Sequence, residues 1–357
     1  MLYDLQIENL RIVTEGSLVP GPGINLIIGG NGSGKTTLLE AIYLLSRGRS
    51  FRHREAGPLV SAGEDHFQLV GKFSDRNGGR HVLGLRRAGE QVEVRLDGRN
   101  AKRRSEVMGL FPVQWIGPDP QQLITGNPEG RRSFLDAGLF HVEHRYLDLL
   151  QRYNKALEQR NAALRKAASS AAIWDDPLVG LATQLDEFRQ SFSQVLSSKV
   201  EQLLAKWGLD LALDFHYSRG WKAGVSLAEV LTVNAPLDRK RGFTSAGPHR
   251  ADLIVRSDQL RTGKRLSRGQ LKMLASAFYL AQSSCIAEQD GDPGILLYDD
   301  LPAELDRQNR ELLLAELATL YRQVFVAALS DQDVPLGTRP ATMFHVEQGA
   351  VQAVLGD

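Results

Sequence analysis

Cysteine is almost absent from this sequence of 357 residues, whose only thiol is Cys285. A single thiol cannot close an intramolecular disulfide, so a disulfide framework is excluded and a reducing compartment is expected. Long apolar runs are missing as well, because no stretch approaches the roughly 20 residues that a membrane-spanning helix requires. The first eight residues alternate as a strand does, without a basic and then apolar leader. We therefore expect neither a secreted nor a membrane-embedded protein.

An excess of charge of one sign is also absent. The formal net charge is +1 at pH 7, from 43 basic and 42 acidic side chains. No overall field attracts nucleic acid, so a DNA-binding surface would have to come from uneven placement of charge. Internal repeats and low-complexity tracts are missing, apart from a short Ala/Ser run at 167–172. Length and composition indicate a globular protein with more than one compact unit.

Hydrophobic patterning divides the chain into three stretches. Up to about residue 118, short alternating runs predict strands around one helix that begins near Lys35. From about 127 to 204 the apolar period lengthens to about 3.6 residues, which predicts helices. After Thr244, apolar strands alternate with helices, as in a mostly parallel sheet. We predict one α/β lobe from residues 1–118 and 237–357, with a helical arm domain at 119–236.

The segment Gly29-Gly-Asn-Gly-Ser-Gly-Lys-Thr36 has the spacing of a phosphate-binding loop and stands between an apolar strand and a helix. Its glycines let several backbone N–H groups point at a phosphate, and the helix N-terminus adds positive potential. Lys35 is expected to reach the β- and γ-phosphates, and the Thr36 hydroxyl to coordinate Mg²⁺. A tight glycine turn alone would not require Lys-Thr after the last glycine. The predicted nucleotide-binding residues here are Gly29, Gly30, Asn31, Gly32, Ser33, Gly34, Lys35, Thr36 and Thr37.

A second element is an apolar strand at 295–298 that ends in two acids, Asp299 and Asp300. This arrangement places one carboxylate beside a metal and another at an attacking water. Asp299 is expected to hold Mg²⁺ through its hydration shell, and Asp300 to act as the general base or to orient the water. Because Asp has one methylene less than Glu, Asp300 would stand further from the γ-phosphate, and slow hydrolysis is predicted.

A third element, Leu266-Ser-Arg-Gly-Gln270, opens a predicted helix about 30 residues before the acidic strand. It resembles the signature sequence of ABC-type ATPases, in which a helix N-terminus binds the γ-phosphate held by the opposite subunit. Downstream, Pro302-Ala-Glu-Leu-Asp306 resembles the D-loop that crosses such a dimer interface. These two segments add Ser267, Arg268, Gly269, Gln270 and Asp306 to the predicted nucleotide-binding residues.

Together with two further segments, these motifs occur in the order typical of one family. The further segments are Asn127-Pro-Glu-Gly-Arg-Arg-Ser-Phe-Leu-Asp136 and Gly247-Pro-His-Arg-Ala-Asp-Leu253. From residue 1 to about 350 the chain resembles the RecF family of bacterial DNA-repair ATPases. These two segments are much more particular to that family than the three ATPase motifs are, and the resemblance rests mainly on them.

The resemblance implies an α/β, ABC-type ATPase head like that of SMC-type repair ATPases, with a short inserted helical arm in place of a long coiled coil. It implies ATP and Mg²⁺ as cofactors and a slow, DNA-stimulated ATPase activity. It also implies a homodimer that forms on ATP and clamps duplex DNA near gap junctions and stalled forks. RecR and RecO are the implied partners, RecA the protein that they help to load, and the cytoplasmic nucleoid the implied location.

The chain departs from the ABC pattern at two points, and a third motif residue, the Q-loop glutamine, has more than one candidate. Arg268 takes the third place of the signature, where transporters usually have Gly, and that place looks variable in the RecF pattern. The switch histidine has no counterpart, because the late strand ends in Ser330 and Asp331. For the Q-loop glutamine, which contacts Mg²⁺ and the attacking water, we assign Gln114, with Gln121 and Gln122 as nearby alternatives.

A local excess of positive charge supplies the predicted DNA contacts. Residues 80–104 include eight Lys or Arg and three acids. Such a face could neutralise phosphates without reading bases, although a solvated sheet face explains it equally well. The predicted DNA-binding residues are Arg86, Arg87, Arg99, Lys102, Arg103 and Arg104.

Three further polar residues have two interpretations each. Arg131 and Arg132 precede a predicted helix and either tie the arm to the head through acids such as Asp136 or contact DNA. His249 either approaches the nucleotide or forms structural hydrogen bonds.

Two other function classes fit less well. A transporter subunit would have a shorter interval between its loop and signature, whereas Ser267 lies 232 residues after Lys35. A P-loop kinase or GTPase would have no use for Leu-Ser-x-Gly-Gln.

Overall fold

The computed structural model describes residues 1–52, 59–101, 103–166, 169–257, 260–261 and 266–354. The chain forms two compact units. The first unit comprises residues 1–120 and 290–357, and the second comprises residues 121–289. Within the described ranges, no helix has the length and apolar character needed to cross a membrane.

The secondary structure alternates strands and helices at both ends of the chain, with long helices between them. The strands are β1 (Leu2–Leu10), β2 (Val13–Leu18), β3 (Gly23–Ile28), β4 (His66–Ser74), β5 (Arg80–Ala88), β6 (Gln91–Leu96), β7 (Arg99–Asn100), β8 (Val113–Ile116), β9 (Leu213–Ser218), β10 (Asp252–Ser257), β11 (Leu260–Arg261), β12 (Ile295–Tyr298), β13 (Gln323–Ala328), β14 (Ala341–Glu347) and β15 (Ala350–Val354). The helices are α1 (Lys35–Arg47), α2 (Arg104–Leu110), α3 (Gln122–Thr125), α4 (Pro128–Val142), α5 (Tyr146–Arg165), α6 (Asp175–Lys206), α7 (Leu227–Arg241), α8 (Arg268–Asp290) and α9 (Arg307–Leu320).

One sheet of the first unit combines strands from both ends of the chain. Its order is β15-β14-β3-β13-β12-β8, and every pair is parallel except β15 with β14. β12 and β13 are buried along their whole length, as expected for strands covered on both faces. The carboxyl ends of the parallel strands lie at one edge, where bound ligands are usually found in such sheets.

The other sheet of the first unit is antiparallel, in the order β2-β1-β4-β5-β6-β7. Helix α1 packs between the two sheets: its Leu39 and Ile42 share one buried cluster with Leu69 of β4 and Phe325 of β13. Gln323 joins the sheets as well, because its side-chain amide accepts from the Leu2 N–H at 2.8 Å and donates to the Leu2 carbonyl at 2.7 Å. Helix α1 is therefore held on both sides.

The second unit contains the predicted helical stretch as α4, α5 and α6. Asn127 begins α4 by accepting a hydrogen bond from the Gly130 N–H, and Pro128 follows at the first helical position. In α5 the buried side chains recur every three or four residues, which gives this helix one face for packing. The period of about 3.6 residues correctly predicted these helices.

Residues 237–289 belong to the second unit in this division, whereas the sequence prediction assigned them to the α/β lobe. Two contacts explain the difference. β10 pairs with β9 in a three-stranded antiparallel sheet, order β11-β10-β9, and Gln282 of α8 donates to the Phe134 carbonyl of α4 at 2.7 Å. Strand–helix alternation along the chain could not reveal either contact, since both join segments far apart in sequence.

Buried ion pairs hold the helices of the second unit together. Arg160, only 1% exposed, donates to Asp175 at 2.7 Å and to Asp238 at 2.9 Å, which links α5 to α6 and α7. Arg189 of α6 pairs with Asp136 of α4 at 2.8 Å. These guanidinium groups have a structural role.

Candidate nucleotide-binding site

A cavity of about 400 Å³ opens in the first unit at the carboxyl edge of the parallel sheet. It brings together the phosphate loop and the two acids that follow β12, as the sequence predicted. The lining residues are Arg11, Ile12, residues 31–37, Arg52, Pro118, Asp299, Asp300, Ala327 and Leu329.

The phosphate loop connects β3 directly to α1, and two of its glycines are required by its shape. Gly34, at the N-terminus of α1, has φ 121°, a conformation that side chains with a Cβ rarely adopt. A Cβ on Gly29 would lie 2.2 Å from the carbonyl oxygen of Val346 in β14. The loop therefore packs closely against the neighbouring strand, while residues 31–37, from the loop and the first turn of α1, line the cavity.

The Lys35 side chain lies over the loop. Its ammonium donates to the carbonyls of Gly29 and Gly30 at 2.7 and 2.8 Å. Burial lowers the pKa of Lys35, and the carboxylates of Asp299 and Asp300 oppose that shift. One cation and two anions therefore face each other across a small space, an arrangement suited to a phosphate with a divalent metal.

Asp299 and Thr36 form the part of the site that fits a metal. Asp299 is buried at the end of β12, and its N–H donates to the Ile116 carbonyl at 2.8 Å. Burial raises the pKa of Asp299, and a hydrogen bond from the Thr36 hydroxyl partly offsets that effect. In the described part of the chain, no group of three or more His, Cys, Asp or Glu could hold a metal alone. Two hard oxygen ligands fit Mg²⁺, which in nucleotide sites also takes phosphate oxygens and water.

Asp300 lines the cavity next to Asp299. Its φ of 54° is unusual for a residue with a Cβ and turns the chain sharply after the strand. Backbone strain of this kind is concentrated at functional sites, where the surrounding structure holds it in place.

Gln114 does not lie where the Q-loop prediction requires. It sits inside β8 opposite Leu296, and its side-chain oxygen accepts a hydrogen bond from the Tyr321 hydroxyl at 2.7 Å. Gln114 is not among the residues that line the cavity, whereas Pro118, further along the same segment, is. The two alternatives, Gln121 and Gln122, follow Pro118 within four residues. The sheet directs the side chain of a glutamine within a strand, so the Q-loop role of Gln114 stays a prediction.

The signature segment forms the N-terminus of α8 in the second unit. The Ser267 hydroxyl accepts from the Gln270 N–H at 3.2 Å, and the Gln270 side chain accepts from the Ser267 N–H at 2.9 Å. This reciprocal capping box explains why Ser and Gln stand three residues apart. Ser267 and Arg268 are exposed, and Gly269 is half-buried.

Asp306 of the predicted D-loop is likewise a helix cap. Its carboxylate accepts from the Asn309 N–H at 2.8 Å at the start of α9, and the residue is exposed.

The predicted DNA-binding residues differ in their surroundings. Arg86 points outward from β5 beside Glu93 of β6, while the half-buried Arg87 donates to the Gly89 carbonyl at 3.0 Å. Arg99 and Arg103 are exposed. Arg104 is exposed too and lies against Gly48 at the end of α1. Lys102 falls outside the described residues.

Arg131, Arg132 and His249 take the structural alternative in the second unit. Arg131 pairs with Asp252, not with Asp136, at 2.7 Å, and Arg132 donates to the Ala251 carbonyl at 2.7 Å. The His249 ring contacts the Tyr153 hydroxyl at 2.7 Å and the Thr244 carbonyl at 2.9 Å.

Sequence reasoning missed six cavity residues: Arg11, Ile12, Arg52, Pro118, Ala327 and Leu329. Arg11 and Ile12 form the turn between β1 and β2, where no phosphate motif directs attention. Arg52 stands in an arginine-rich stretch after α1, and that richness was the one available signal. Leu329 directly follows β13, so its position after a parallel strand could have marked it.

Comparison with known proteins identifies the family to which the chain belongs. Residues 1–352 match the family model described as RecF/RecN/SMC N terminal domain. "DNA replication and repair protein RecF" of Shewanella baltica (strain OS223) is 38% identical over 359 residues, 99% of each chain. The protein of that name from Thioalkalivibrio sulfidiphilus (strain HL-EbGR7) is 38% identical over 356 residues, again 99% of each chain.

Solved structures agree with the fold. "Structure of the recombination mediator protein RecF-ATPrS in RecFOR pathway" matches with a TM-score of 0.87 and 27% identity, over 99% of this chain and 98% of that one. An Smc head bound to the C-winged helix domain of ScpA matches with a TM-score of 0.61 and 16% identity, over 99% and 96% of the two chains. That second likeness concerns the fold alone. The predicted fold class, an α/β ATPase head with a mainly helical addition, is confirmed.

Proposed function

The chain belongs to the RecF family of RecF/RecN/SMC proteins, and on that premise we propose that it is an ATP-dependent DNA clamp of recombinational repair. The cavity of the first unit is the observation that carries this proposal, because it combines a phosphate loop, a lysine and a fitting magnesium ligand pair. The relatives are named for DNA replication and repair, and solved relatives are titled as ATP complexes of the RecFOR pathway.

In this proposal ATP binds with its phosphates on the N–H groups of the loop and the N-terminus of α1. Lys35 leaves the loop carbonyls and donates to the β- and γ-phosphates. The Thr36 hydroxyl, and Asp299 through the hydration shell, would hold Mg²⁺, which would supply charge neutralisation on the phosphate oxygens. The raised pKa of Asp299 reflects a carboxylate held in a buried place, and such a carboxylate gains most from an adjacent cation.

The proposed dimer completes the site with the exposed N-terminus of α8 from a second protomer. Ser267, Gly269 and the helix dipole would then face the γ-phosphate, and Asp306 would lie at the interface. Two such sites form per symmetric dimer. ATP would act as the contact between subunits, and its hydrolysis would release them.

Asp300 is the proposed group that orients or deprotonates the attacking water. Its carboxylate is one methylene shorter than that of Glu, so a long reach to the water and slow turnover are expected. Asp300→Asn should retain ATP and lose most turnover, which yields a long-lived ATP state for assays.

The test of the clamp is molar mass by light scattering, with and without ATP–Mg²⁺, on the Asp300→Asn background. Ser267→Asp preserves the helix cap and places a negative charge where the γ-phosphate would lie, whereas Ser267→Asn preserves the cap without charge. We expect the mass to double on ATP for the parent and the Asn variant, and to stay constant for the Asp variant. A parent whose mass does not change with ATP would overturn the clamp.

We place the DNA-binding surface on the basic strands β5–β7 and the start of α2. The protein would act in the cytoplasm, and it would cooperate with RecR and RecO to load RecA. Arg99→Glu with Arg103→Glu should weaken duplex binding and reduce the salt slope by about 0.9 for each phosphate that is no longer neutralised. The matched control is Arg239→Glu with Lys240→Glu on α7, the same charge change on exposed residues of the second unit. If only the control pair weakens binding, the DNA surface lies on α7 instead.

A further inference from the structure

One buried carboxylate connects both arginines that line the nucleotide cavity. Glu40 lies on α1, five residues after Lys35, and is 0% exposed. Arg11, in the turn between β1 and β2, and Arg52, beyond the end of α1, line the cavity together with Lys35. Neither arginine belongs to the motifs that identify the phosphate site, so their placement needs its own explanation.

The connection to Arg11 is direct. The Nε of Arg11 donates to one oxygen of Glu40 at 2.5 Å, and its Nη2 donates to the other oxygen at 3.0 Å. This is a two-point contact, which fixes the plane of the guanidinium as well as its position. Arg11 is therefore oriented by the same helix that presents Lys35 and Thr36.

The connection to Arg52 passes through Ser50. The Ser50 hydroxyl donates to Glu40 and accepts from the Arg52 backbone N–H, the latter at 2.9 Å. Ser50 thus holds the chain at the point where it turns toward the cavity. The Glu40 carboxylate therefore contacts the side chain of Arg11 directly, and it reaches the backbone of Arg52 through the Ser50 hydroxyl.

The backbone of Arg11 is constrained as well. Its φ is 52°, its N–H donates to the Leu59 carbonyl at 2.8 Å, and its carbonyl accepts from the Ser61 hydroxyl at 2.7 Å. A residue with a Cβ stays in this conformation only when its surroundings impose it. The side-chain pair and the backbone contacts together leave Arg11 little freedom.

We propose that Glu40 is a positioning residue for nucleotide binding: it holds Arg11, and through Ser50 also Arg52, toward the phosphates that α1 binds. The inference rests on the proposed nucleotide site and adds to it how the two arginines are set. A buried ion pair contributes little net stability, because desolvation offsets the attraction. Orientation is the effect that such a pair can supply.

Two simpler roles for Glu40 predict different results. If Glu40 acted only through its charge, Glu40→Gln would remove a negative charge near an anionic ligand and tighten ATP binding. If Glu40 were only structural, the variant would lose stability while the folded fraction bound ATP normally. Positioning alone predicts weaker binding by a folded protein.

The experiment measures the affinity of a fluorescent ATP analogue with Mg²⁺, together with thermal unfolding, for Glu40→Gln, Arg11→Gln and the double variant. We expect Glu40→Gln to weaken binding about tenfold, the equivalent of one charge-assisted hydrogen bond. Because Glu40 acts mostly through Arg11, the double variant should bind at most about threefold more weakly than Arg11→Gln, the remainder coming from the Arg52 branch, which is a non-additive cycle. Equal or tighter binding by Glu40→Gln, or additive losses in the cycle, would overturn the inference.

Asp252→Asn is the matched control. It removes the carboxylate of the buried pair with Arg131, which has the same two-point geometry but lies in the second unit. We expect it to lower the unfolding temperature without changing ATP affinity, and an equal loss of affinity would show that any broken buried pair has this effect.

Ser50→Ala provides a second route if Glu40→Gln does not fold. It removes only the link to Arg52, and we expect about a threefold loss of ATP affinity, on the scale of one neutral hydrogen bond. Unchanged binding by Ser50→Ala would remove the Arg52 branch. A wild-type protein that binds no ATP would overturn the proposed function itself and not merely this inference.

Discussion

The two compact units use buried charge in different ways. Among the described residues of the first unit, the buried ionic side chains are Glu40 and Asp299: Asp299 lines the cavity, and Glu40 pairs with Arg11, which lines it too. In the second unit, Arg131, Arg160 and Arg189 are buried and each pairs with a carboxylate of another element. The buried charged side chains of the first unit therefore lie in the cavity or pair with a residue that lines it, whereas those of the second unit link one element to another.

This contrast follows from the way in which the helices of each unit are packed. The first unit buries α1 between two sheets, so apolar packing on both sides already holds it. The second unit is built from long helices with narrower apolar faces, and arginine–carboxylate pairs specify how those helices meet. Changes at buried charges should therefore affect binding in one unit and stability in the other.

The largest effect is expected on stability, at Arg160. Arg160→Met leaves the fully buried Asp238 without its cation, and breaking such a pair costs about 3–5 kcal/mol. Urea unfolding measures this loss, and ATP affinity should stay unchanged. Arg145→Met is the control, because the Arg145 side chain is 84% exposed beside Glu143 and should contribute less than about 1 kcal/mol. Equal losses of unfolding free energy in Arg160→Met and Arg145→Met would contradict the stabilising role assigned to buried charge in the second unit.

The second prediction concerns His249 and pH. Burial lowers the pKa of His249 to about 4, below its ordinary value of 6.5. The unfolded chain therefore binds a proton more readily, and the contribution of His249 to stability falls as the pH drops from 6.5 toward 4, by on the order of 3 kcal/mol. His249→Gln should flatten this part of the stability profile, measured by urea unfolding at each pH. A wild-type profile that the substitution leaves unchanged would contradict the prediction.

The third prediction is the counterpart in the first unit. Lys35→Ala should weaken ATP binding about 100-fold, through the loss of charge-assisted hydrogen bonds to two phosphates. Its unfolding temperature should remain close to that of the wild type, since the ammonium donates its hydrogen bonds to two carbonyls of the same loop. Lys72→Ala, which removes a lysine of the same unit paired with Asp4, should change neither quantity. A marked fall in stability with Lys35→Ala would show that the loop depends on the lysine.

The smallest effect is expected from Asp299→Asn. Since burial raises the pKa of Asp299, the charged form is disfavoured in the folded protein at neutral pH. Asn removes that charge, so stability should stay equal or rise by about 1 kcal/mol. The dependence of ATP affinity on Mg²⁺ should decrease, while binding without Mg²⁺ should change little. A clear loss of stability would show that Asp299 has a structural role, as the buried arginines of the second unit do.

The local elements and the phosphate site were largely predictable from the sequence. The strands around 24–28 and 295–298 and the helix after Lys35 appear where alternation and glycine spacing placed them. Ser267 and Asp306 were recognised as motif residues, and in the structure each also caps its own helix. The Q-loop role of Gln114 stays a prediction, because in this structure its side chain accepts a hydrogen bond from Tyr321 and strand geometry decides which side chain reaches the sheet edge.

The sequence by itself determined the phosphate loop and the strand that ends in acids, because both depend on contacts between near neighbours in the chain. Only the tertiary structure decided that Glu40 pairs with Arg11, a residue that lines the cavity. It also decided that residues 237–289 belong to the same compact unit as helices α4, α5 and α6. Those contacts join residues that are distant in sequence. Which distant residues meet is set by the packing of sheets and helices, and no local pattern encodes it.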